Sequence, residues 1–244
     1  TLRQIENEFY GTIRPKRVIH PGERPLHALR QRGVEYIEVR CMDLDPFEPL
    51  GIGASTMHFL DVFLLHALLS HSPPDTPHEV AAISLNQEQV AARGRDPAVK
   101  LRRGDEELGV RAWGDALLDE FEGVAQALDA AFGGNDHRAA VADARLNLHD
   151  MQRLPSARVL DVMARDHASS HNEFVRLRSA QIKRQLIELP WTSAQDARYR
   201  ALSERSVAEQ RAAEAGDSLS FEAFRRHYVD PARLYPVRRV GDLH

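Results

Sequence analysis

The spacing of the hydrophobic residues changes near residue 54, and this change limits the fold more than any other feature of the sequence. Residues 34–42, VEYIEVRCM, alternate in polarity and are rich in β-branched side chains, which predicts a β-strand that the following DLDP ends. Residues 3–14, RQIENEFYGTIR, predict an earlier strand. From Ser55 onward the apolar residues recur at helical spacing. The sequence therefore predicts an α+β fold.

The helical part is predicted to begin with a helix that Ser55 or Thr56 caps and that runs to about Ser70. Gly133 and Gly134 are expected to end a later helix, because glycine is the usual residue just beyond a helix C-terminus. The further helices are predicted over residues 77–93, 113–132, 137–150, 155–188 and 192–215. The last has few large apolar residues and is expected on the surface.

These patterns divide the chain into two predicted parts. Residues 1–54 are expected to supply strands of a sheet, and residues 55–244 a helical region that packs on the sheet and extends from it. The chain opens on a strand-like segment without a methionine or a signal-peptide pattern. We therefore expect it to be a piece of a longer protein that is cut within a fold.

Composition excludes several classes of protein. The 32 Lys and Arg residues against 36 Asp and Glu give a net charge of −4, which predicts no nucleic-acid partner and no anionic membrane surface. The single cysteine, Cys41, excludes an internal disulfide and a cysteine-rich zinc site, and it fits a cytoplasmic protein. The most apolar stretch, residues 59–69, carries two polar residues and is too short to cross a bilayer.

The predicted strand over residues 34–42 places an acid and a base on the same side. Side chains alternate along a strand, so Tyr36, Glu38 and Arg40 share one face, while Ile37 and Val39 share the other, which is expected to meet a core. Glu38 and Arg40 are then about 7 Å apart along the strand. The plainest interpretation is an ion pair on a solvated sheet, because exposed charges of this kind are common.

The earlier strand favours a second interpretation. It also has a polar face, formed by Glu6, Glu8, Tyr10 and Arg14. Carboxylate oxygens are ligands that Mg²⁺ prefers, and arginines bind phosphoryl oxygens, so two such strands side by side fit a magnesium–nucleotide site. The pattern alone leaves both interpretations open.

Three blocks of sequence resemble the proteobacterial glutamate–cysteine ligase family. They are IENEFY (5–10), IRPKR (13–17) and GVEYIEVR (33–40), and the later segments DLDPF (43–47), FLD (59–61), GRDP (94–97) and SARVL (156–160) are similar to it as well. The resemblance is dense over about residues 1–100 and thinner, though in register, to about residue 160.

The resemblance implies a glutamine-synthetase-like fold, in which a curved antiparallel sheet holds metal ions, ATP and both amino acids on its concave face. In this family ATP phosphorylates the γ-carboxylate of L-glutamate, and the amine of L-cysteine then attacks the acyl phosphate, which is the first step of glutathione biosynthesis. The implied cofactor is Mg²⁺, ATP is a co-substrate, and the complete protein is expected to be a monomer. The chain would correspond to the C-terminal portion of such an enzyme.

The resemblance assigns roles to particular residues. Glu38 matches a metal-ligating glutamate of the family. Arg40 matches the neighbouring arginine, a catalytic residue expected to hold the transferred phosphoryl group. Arg14 and Lys16 lie in the block that resembles the nucleotide-contacting segment, which implies phosphate binding.

Glu8 and Tyr10 share the predicted face and are candidates to touch metal, nucleotide or substrate, although a salt bridge would explain Glu8 equally well. The family's other metal-ligating glutamates belong to an N-terminal portion that this chain does not contain. The isolated chain is therefore expected to be inactive, with an open sheet edge that promotes aggregation.

Two other functions stay open on the sequence. A related carboxylate–amine ligase could use a different amine acceptor, and a helical interaction module could account for the helix-rich residues 113–218. His167 and His171 are spaced as if on one helix face, but packing or surface roles are favoured over zinc binding, because no third ligand is evident. By strand parity Cys41 is expected to be a buried, inert thiol.

Overall fold

The computed structural model describes residues 11–20, 22–40 and 42–230. Within those ranges the chain forms two antiparallel hairpins and nine α-helices, which confirms the predicted α+β class. The strands are β1 (Ile13–Lys16), β2 (Tyr36–Val39), β3 (Lys100–Arg103) and β4 (Glu106–Gly109). The helices are α1 (Pro25–Arg32), α2 (Ala54–Leu69), α3 (Pro77–Arg93), α4 (Val110–Phe132), α5 (Asp136–His149), α6 (Pro155–Asp166), α7 (His171–Ile187), α8 (Ser193–Gly216) and α9 (Phe221–Tyr228), with a 3-10 turn at Met151–Arg153.

The described residues separate into two compact units. One unit combines residues from 1–43 with residues from 189–244 and contains the β1–β2 hairpin. The other consists of residues 44–188 and contains α2 to α7 with the β3–β4 hairpin. The division at residue 54 that the sequence suggests stays a prediction.

The core of the unit formed by residues 44–188 lies between α2, α4 and α5. On α4 the buried residues follow the helical spacing seen in the sequence, so one stripe of that helix faces its neighbours. The buried core residues are Val62, Leu118, Phe121, Ala125 and Val141. Removing these apolar side chains from water is the main stabilising contribution to this unit.

Gly133 ends α4, as the sequence predicts. Its φ of 83° is in the left-handed region that favours glycine, and its N–H donates to the carbonyl of Asp129 at 2.8 Å. The chain can therefore turn sharply into α5.

The Asp129 carboxylate joins the end of α4 to the start of α5. Asn135, at the N-cap of α5, makes no side-chain capping bond. Instead Asp129 accepts hydrogen bonds from the backbone nitrogens of His137 at 2.9 Å and Arg138 at 3.3 Å, and from Nε of Arg138 at 2.9 Å. A residue from the preceding helix thus satisfies the free N–H groups at the N-terminus of α5.

The predicted single helix over residues 155–188 is wrong, because the chain turns between α6 and α7 at residues 167–170. In this turn Ala168 and Ser169 have φ values of 47° and 61°. Left-handed backbone is costly for residues with a Cβ, and no glycine or proline marks the turn in the sequence. Tertiary context therefore determines this break.

Neither the β3–β4 hairpin nor α9 was predicted. The hairpin is short and highly charged, without the alternation that signals a strand. It is held to α3 by Asn86, whose side-chain amide donates to the carbonyl of Arg102 at 2.7 Å and accepts from its N–H at 2.8 Å. Such a contact between distant residues leaves no local pattern.

The capping prediction for α2 is also wrong. The helix begins at Ala54, two or three residues earlier than a cap at Ser55 or Thr56 would place it, and its N-cap is Gly53. No helix in the described ranges, α2 included, is long and apolar enough to cross a membrane.

Replacing Phe121 by alanine is expected to lower the free energy of unfolding by about 3–5 kcal/mol, because the side chain is only 3% exposed and would leave a cavity. Chemical denaturation followed by circular dichroism measures this change. The matched control is Phe132→Ala on the same helix, where the side chain is 78% exposed and little loss is expected. Equal losses for the two variants would show that the core is placed incorrectly.

Replacing Asp129 by asparagine is expected to lower the thermal midpoint at neutral pH. Burial raises the pKa of this carboxyl, but hydrogen bonds from Arg138 and His137 outweigh that effect and hold the pKa well below its ordinary range. A group whose pKa falls on folding stabilises the fold where it is ionised, and that stability is lost as pH falls below about 4.

The difference in midpoint between wild type and Asp129→Asn should therefore be largest near pH 7 and should shrink in acid. Asp105→Asn, in the turn between β3 and β4, serves as the control and should change the midpoint little at any pH. A midpoint difference that grows as pH falls would contradict the stabilising role of the ionised Asp129 carboxylate.

Candidate functional site

The pairing of β1 with β2 brings together the charged residues that the sequence singled out. In this antiparallel hairpin Arg14 lies opposite Glu38, and Lys16 lies opposite Tyr36. Residues that face each other across a strand pair share one side of the sheet, and so do residues two apart on one strand. Arg14, Lys16 and Glu38 therefore lie on the same face of the hairpin.

Glu38 stands at the centre of this group and contacts two cations. Its Oε1 accepts a hydrogen bond from Nε of Arg40 at 2.5 Å, and its Oε2 lies 3.0 Å from Nζ of Lys16. The bond to Arg40 requires the two side chains to lie on the same side, as strand alternation predicts. We define the basic cluster as Arg14, Lys16 and Arg40 around the Glu38 carboxylate.

The electrostatics of the basic cluster favour negative charge. The hydrogen bonds from Arg40 and then from Lys16 hold the pKa of Glu38 below its ordinary value, so the carboxylate is ionised at neutral pH. About a third of the Glu38 and Lys16 side chains is exposed, so a ligand in solvent can reach both. Lys16 and Arg40 both contact the single Glu38 carboxylate, so these three side chains together carry one net positive charge, which suits an anionic ligand.

Glu8 and Tyr10, the other predicted site residues, lie outside the described residues, as does Cys41. Among the residues that are described, no group of three His, Cys, Asp or Glu side chains is placed to hold a metal ion. Glu38 can supply one hard oxygen ligand, whereas Mg²⁺ requires octahedral coordination. The described part of the chain therefore does not build a metal site from its own side chains.

The apolar face of the hairpin differs from the prediction. Alternation placed Ile37 and Val39 against a core, but Ile37 is 43% exposed, and Ile13, which lies opposite Val39 and shares its face, is 38% exposed. Only Val39 is half-buried. Within the described chain, no second layer covers this side of the hairpin fully.

A network around Arg32 fixes the segment that follows β1. Arg32 makes a bidentate contact with Glu23, with N···O distances of 2.6 and 2.8 Å, and donates to the carbonyl of Val18 at 2.9 Å. Arg17 donates to the carbonyl of Arg32 at 3.0 Å. The bond from Arg32, helped by the backbone N–H of His20, lowers the pKa of Glu23 to about 2. This network leaves no signal in the sequence, because its members follow no common spacing.

The histidine pair considered for zinc does not share a helix face. His167 lies at the C-cap of α6 and His171 is the first residue of α7, with a turn between them. His66, on α2, lies at the edge of the core with its side chain 18% exposed, and its Nε2 is 3.0 Å from the Glu120 carboxylate. In the described residues, neither the His167–His171 pair nor His66 belongs to a group of side chains that could hold a metal ion.

Comparison with known proteins agrees with the resemblance in the sequence. Residues 1–90 match the family model described as glutamate-cysteine ligase. Curated glutamate–cysteine ligases from Hahella chejuensis and Pseudomonas aeruginosa are 40% and 39% identical to the chain, over 93% and 91% of its length. The crystal structure of glutamate–cysteine ligase from Francisella tularensis in complex with AMP superposes with a TM-score of 0.84 and 32% identity over 95% of this chain.

The match covers only part of these proteins. The chain spans 44% and 42% of the two curated relatives and 46% of the Francisella structure. By sequence and by fold, this chain is related to the glutamate–cysteine ligases along nearly all of its own length and less than half of theirs.

Proposed function

We propose that the chain contributes the phosphoryl-binding strands of an ATP-dependent glutamate–cysteine ligase and works as part of a longer protein. The observation that carries the proposal is the Glu38 carboxylate held between Lys16 and Arg40 on paired strands. The position of this cluster inside the segment that matches the family model supports it.

The proposed reaction joins two amino acids at the expense of ATP. The γ-phosphoryl group moves to the γ-carboxylate of L-glutamate with release of ADP. The amine of L-cysteine then attacks the acyl carbon, inorganic phosphate leaves, and the amine loses a proton. The first step brings a carboxylate and a triphosphate together, so it requires cations at the point where the negative charges meet.

The basic cluster supplies cations of two kinds. Arg40 presents a planar guanidinium, which can donate two parallel hydrogen bonds to a phosphoryl group, and we assign it to the transferred phosphate. Arg14 and Lys16 are assigned to the other phosphates of the nucleotide. The AMP bound by the Francisella relative supports an adenine nucleotide as the ligand.

Glu38 is assigned as one ligand of the Mg²⁺ ion that such a reaction uses. The fit is partial: Arg40 and Lys16 leave lone pairs free on both carboxylate oxygens, but the described residues offer no further carboxylates for the same ion. When bound, the ion would neutralise phosphate charge. The remaining ligands are assigned to sequence outside this chain, so the isolated chain is expected to be inactive.

Glu8 and Tyr10 are further candidates for contact with substrate or metal, on the strength of the family resemblance. ATP, L-glutamate and L-cysteine are the proposed partners. We further propose that the full-length protein is a monomer and is located in the cytoplasm.

Glu38→Ala in the complete ligase is expected to reduce the rate of γ-glutamylcysteine formation by ~10²-fold or more, because it removes a charged group from a preorganised site. The reaction is followed by ADP release with glutamate and cysteine present, over a range of Mg²⁺ concentrations.

The control for this change is Glu35→Ala. Glu35 lies just before β2 and also pairs with a cation, Arg17, at 3.4 Å, but it is outside the basic cluster. It should keep most of the activity. A Glu38→Ala enzyme with unaltered rate and unaltered Mg²⁺ dependence would disprove the metal assignment.

Arg40→Lys is expected to lower kcat by ~10²-fold, because a lysine keeps the charge but cannot form the bidentate contact. Arg17→Lys on the same hairpin is the matched control and should leave kcat nearly unchanged. Steady-state kinetics with each substrate varied in turn separates kcat from KM. If both variants lose the same activity, the general charge of the hairpin matters and the specific role of Arg40 is wrong.

A further inference from the structure

A cavity of about 390 Å³ lies between α6, α7 and the loop before α2. Its apolar lining includes Phe47, Val162, Phe174 and Leu177. The rings of Phe47 and Phe174 are 6.1 Å apart, and Phe174 is only 3% exposed, so the aromatic part of the wall is firmly packed. Its volume is within the range of small-molecule sites, it is open to solvent on one side, and none of its residues belongs to the β1–β2 hairpin.

The polar groups of this cavity carry positive charge. Arg178 is fixed by three hydrogen bonds: Nε donates to the carbonyl of Pro46 and Nη2 to the carbonyl of Phe47, each at 2.7 Å, and Nη1 donates to the side chain of Gln181 at 2.9 Å. The Arg184 side chain makes no hydrogen bond or ion pair with any described residue. The one acidic side chain in the lining, Asp166, is already paired with Arg165 at 3.0 Å. An anionic group entering the cavity would therefore meet the Arg184 guanidinium, the one remaining N–H on each Nη of Arg178, and no uncompensated carboxylate among the described lining residues.

The turn between α6 and α7 forms one wall and carries two unusual features. His167 lines the cavity, and its Nδ1 is shielded from solvent without a hydrogen-bond partner among the described residues. A buried polar atom without a partner lowers the stability of the fold. The next two residues, Ala168 and Ser169, both have left-handed backbone. Strain of this kind concentrates at binding sites, where the surrounding structure holds it in place.

We propose that this cavity binds a small organic carboxylate whose apolar body is about the size of one aromatic ring. The ring would lie against Phe47, Phe174 and Leu177, and the carboxylate would pair with Arg184 and accept hydrogen bonds from Arg178. This function is additional to the proposed ligase activity and does not depend on it.

The test uses 4-fluorophenylacetate as the probe, because it combines one ring with one carboxylate and its fluorine signal reports binding directly. Titration of the complete protein, followed by ¹⁹F NMR, should give saturable binding. The uncharged analogue 2-(4-fluorophenyl)ethanol should bind at least ~10-fold more weakly, because it cannot form the charged hydrogen bonds. Acetate, which lacks the ring, should compete poorly.

Two variants locate the site. Arg184→Gln removes the cation and should weaken probe binding by ~10-fold. Leu177→Trp places a larger side chain in the apolar part of the cavity. Because Leu177 is 41% exposed, the indole ring can be accommodated without unfolding the helix. The matched control is Arg176→Gln on the same helix, whose guanidinium pairs with Glu173 at 2.7 Å and does not line the cavity.

The control variant should bind the probe as the wild type does. Circular dichroism of each variant checks that the helices are intact. If the wild type shows no saturable binding, or if either Arg184→Gln or Leu177→Trp binds the probe with unchanged affinity, the proposal is overturned. Retained ligase activity in all three variants would agree with a site that is separate from the basic cluster.

Discussion

The register between β1 and β2 decides which charged groups of this chain can act together. A shift of one residue would move Glu38 away from Lys16 and turn Arg14 to the other side of the hairpin. Pro15 lies between the two basic residues, opposite Ile37, and has no N–H to donate. At this position β1 cannot donate a hydrogen bond to a further strand, so the basic residues lie on a strand with restricted pairing. The ligase proposal depends on this arrangement.

Each of the two compact units is held together by a different kind of interaction. In the unit of residues 44–188, the packing of α2, α4 and α5 is supplemented by the Asp129 carboxylate, which connects two helices through their backbone as well as their side chains. In the other unit, the hairpin is accompanied by ion pairs and backbone contacts centred on Arg32. Apolar burial is extensive in the first case, whereas Ile13 and Ile37 stay partly exposed in the second.

The sequence was most informative where structure depends on local pattern. The β2 strand, the helical stripe of α4 and the glycine that ends it follow from spacing and backbone preference, and the face shared by Glu38 and Arg40 follows from alternation. The resemblance to the family rested on blocks of residues, and comparison with known proteins found the same similarity. The break between α6 and α7 and the β3–β4 hairpin were missed, because left-handed alanine and serine and a cross-chain contact from Asn86 leave no periodic signal.

The site was predictable in part for the same reason. Arg14 and Lys16 lie on β1 and Glu38 on β2, Arg40 directly follows β2, and alternation places all four on one side of the hairpin. The cavity beside α6 and α7 was not predictable, because its lining comes from a loop and two helices that are distant in sequence. The net charge of the cavity depends on which lining residues form ion pairs. Only the three-dimensional arrangement determines those pairs.

The α8 helix has 24 residues and none of them is buried. At 1.5 Å per residue it is about 36 Å long, and its Thr192 and Gln195 capping box satisfies the N-terminal N–H groups locally. A helix exposed along its length in this way can open without disturbing a hydrophobic core. The amide hydrogens of α8 should therefore exchange with solvent by local fraying. Those on the buried stripe of α4 should exchange only when the packed core opens.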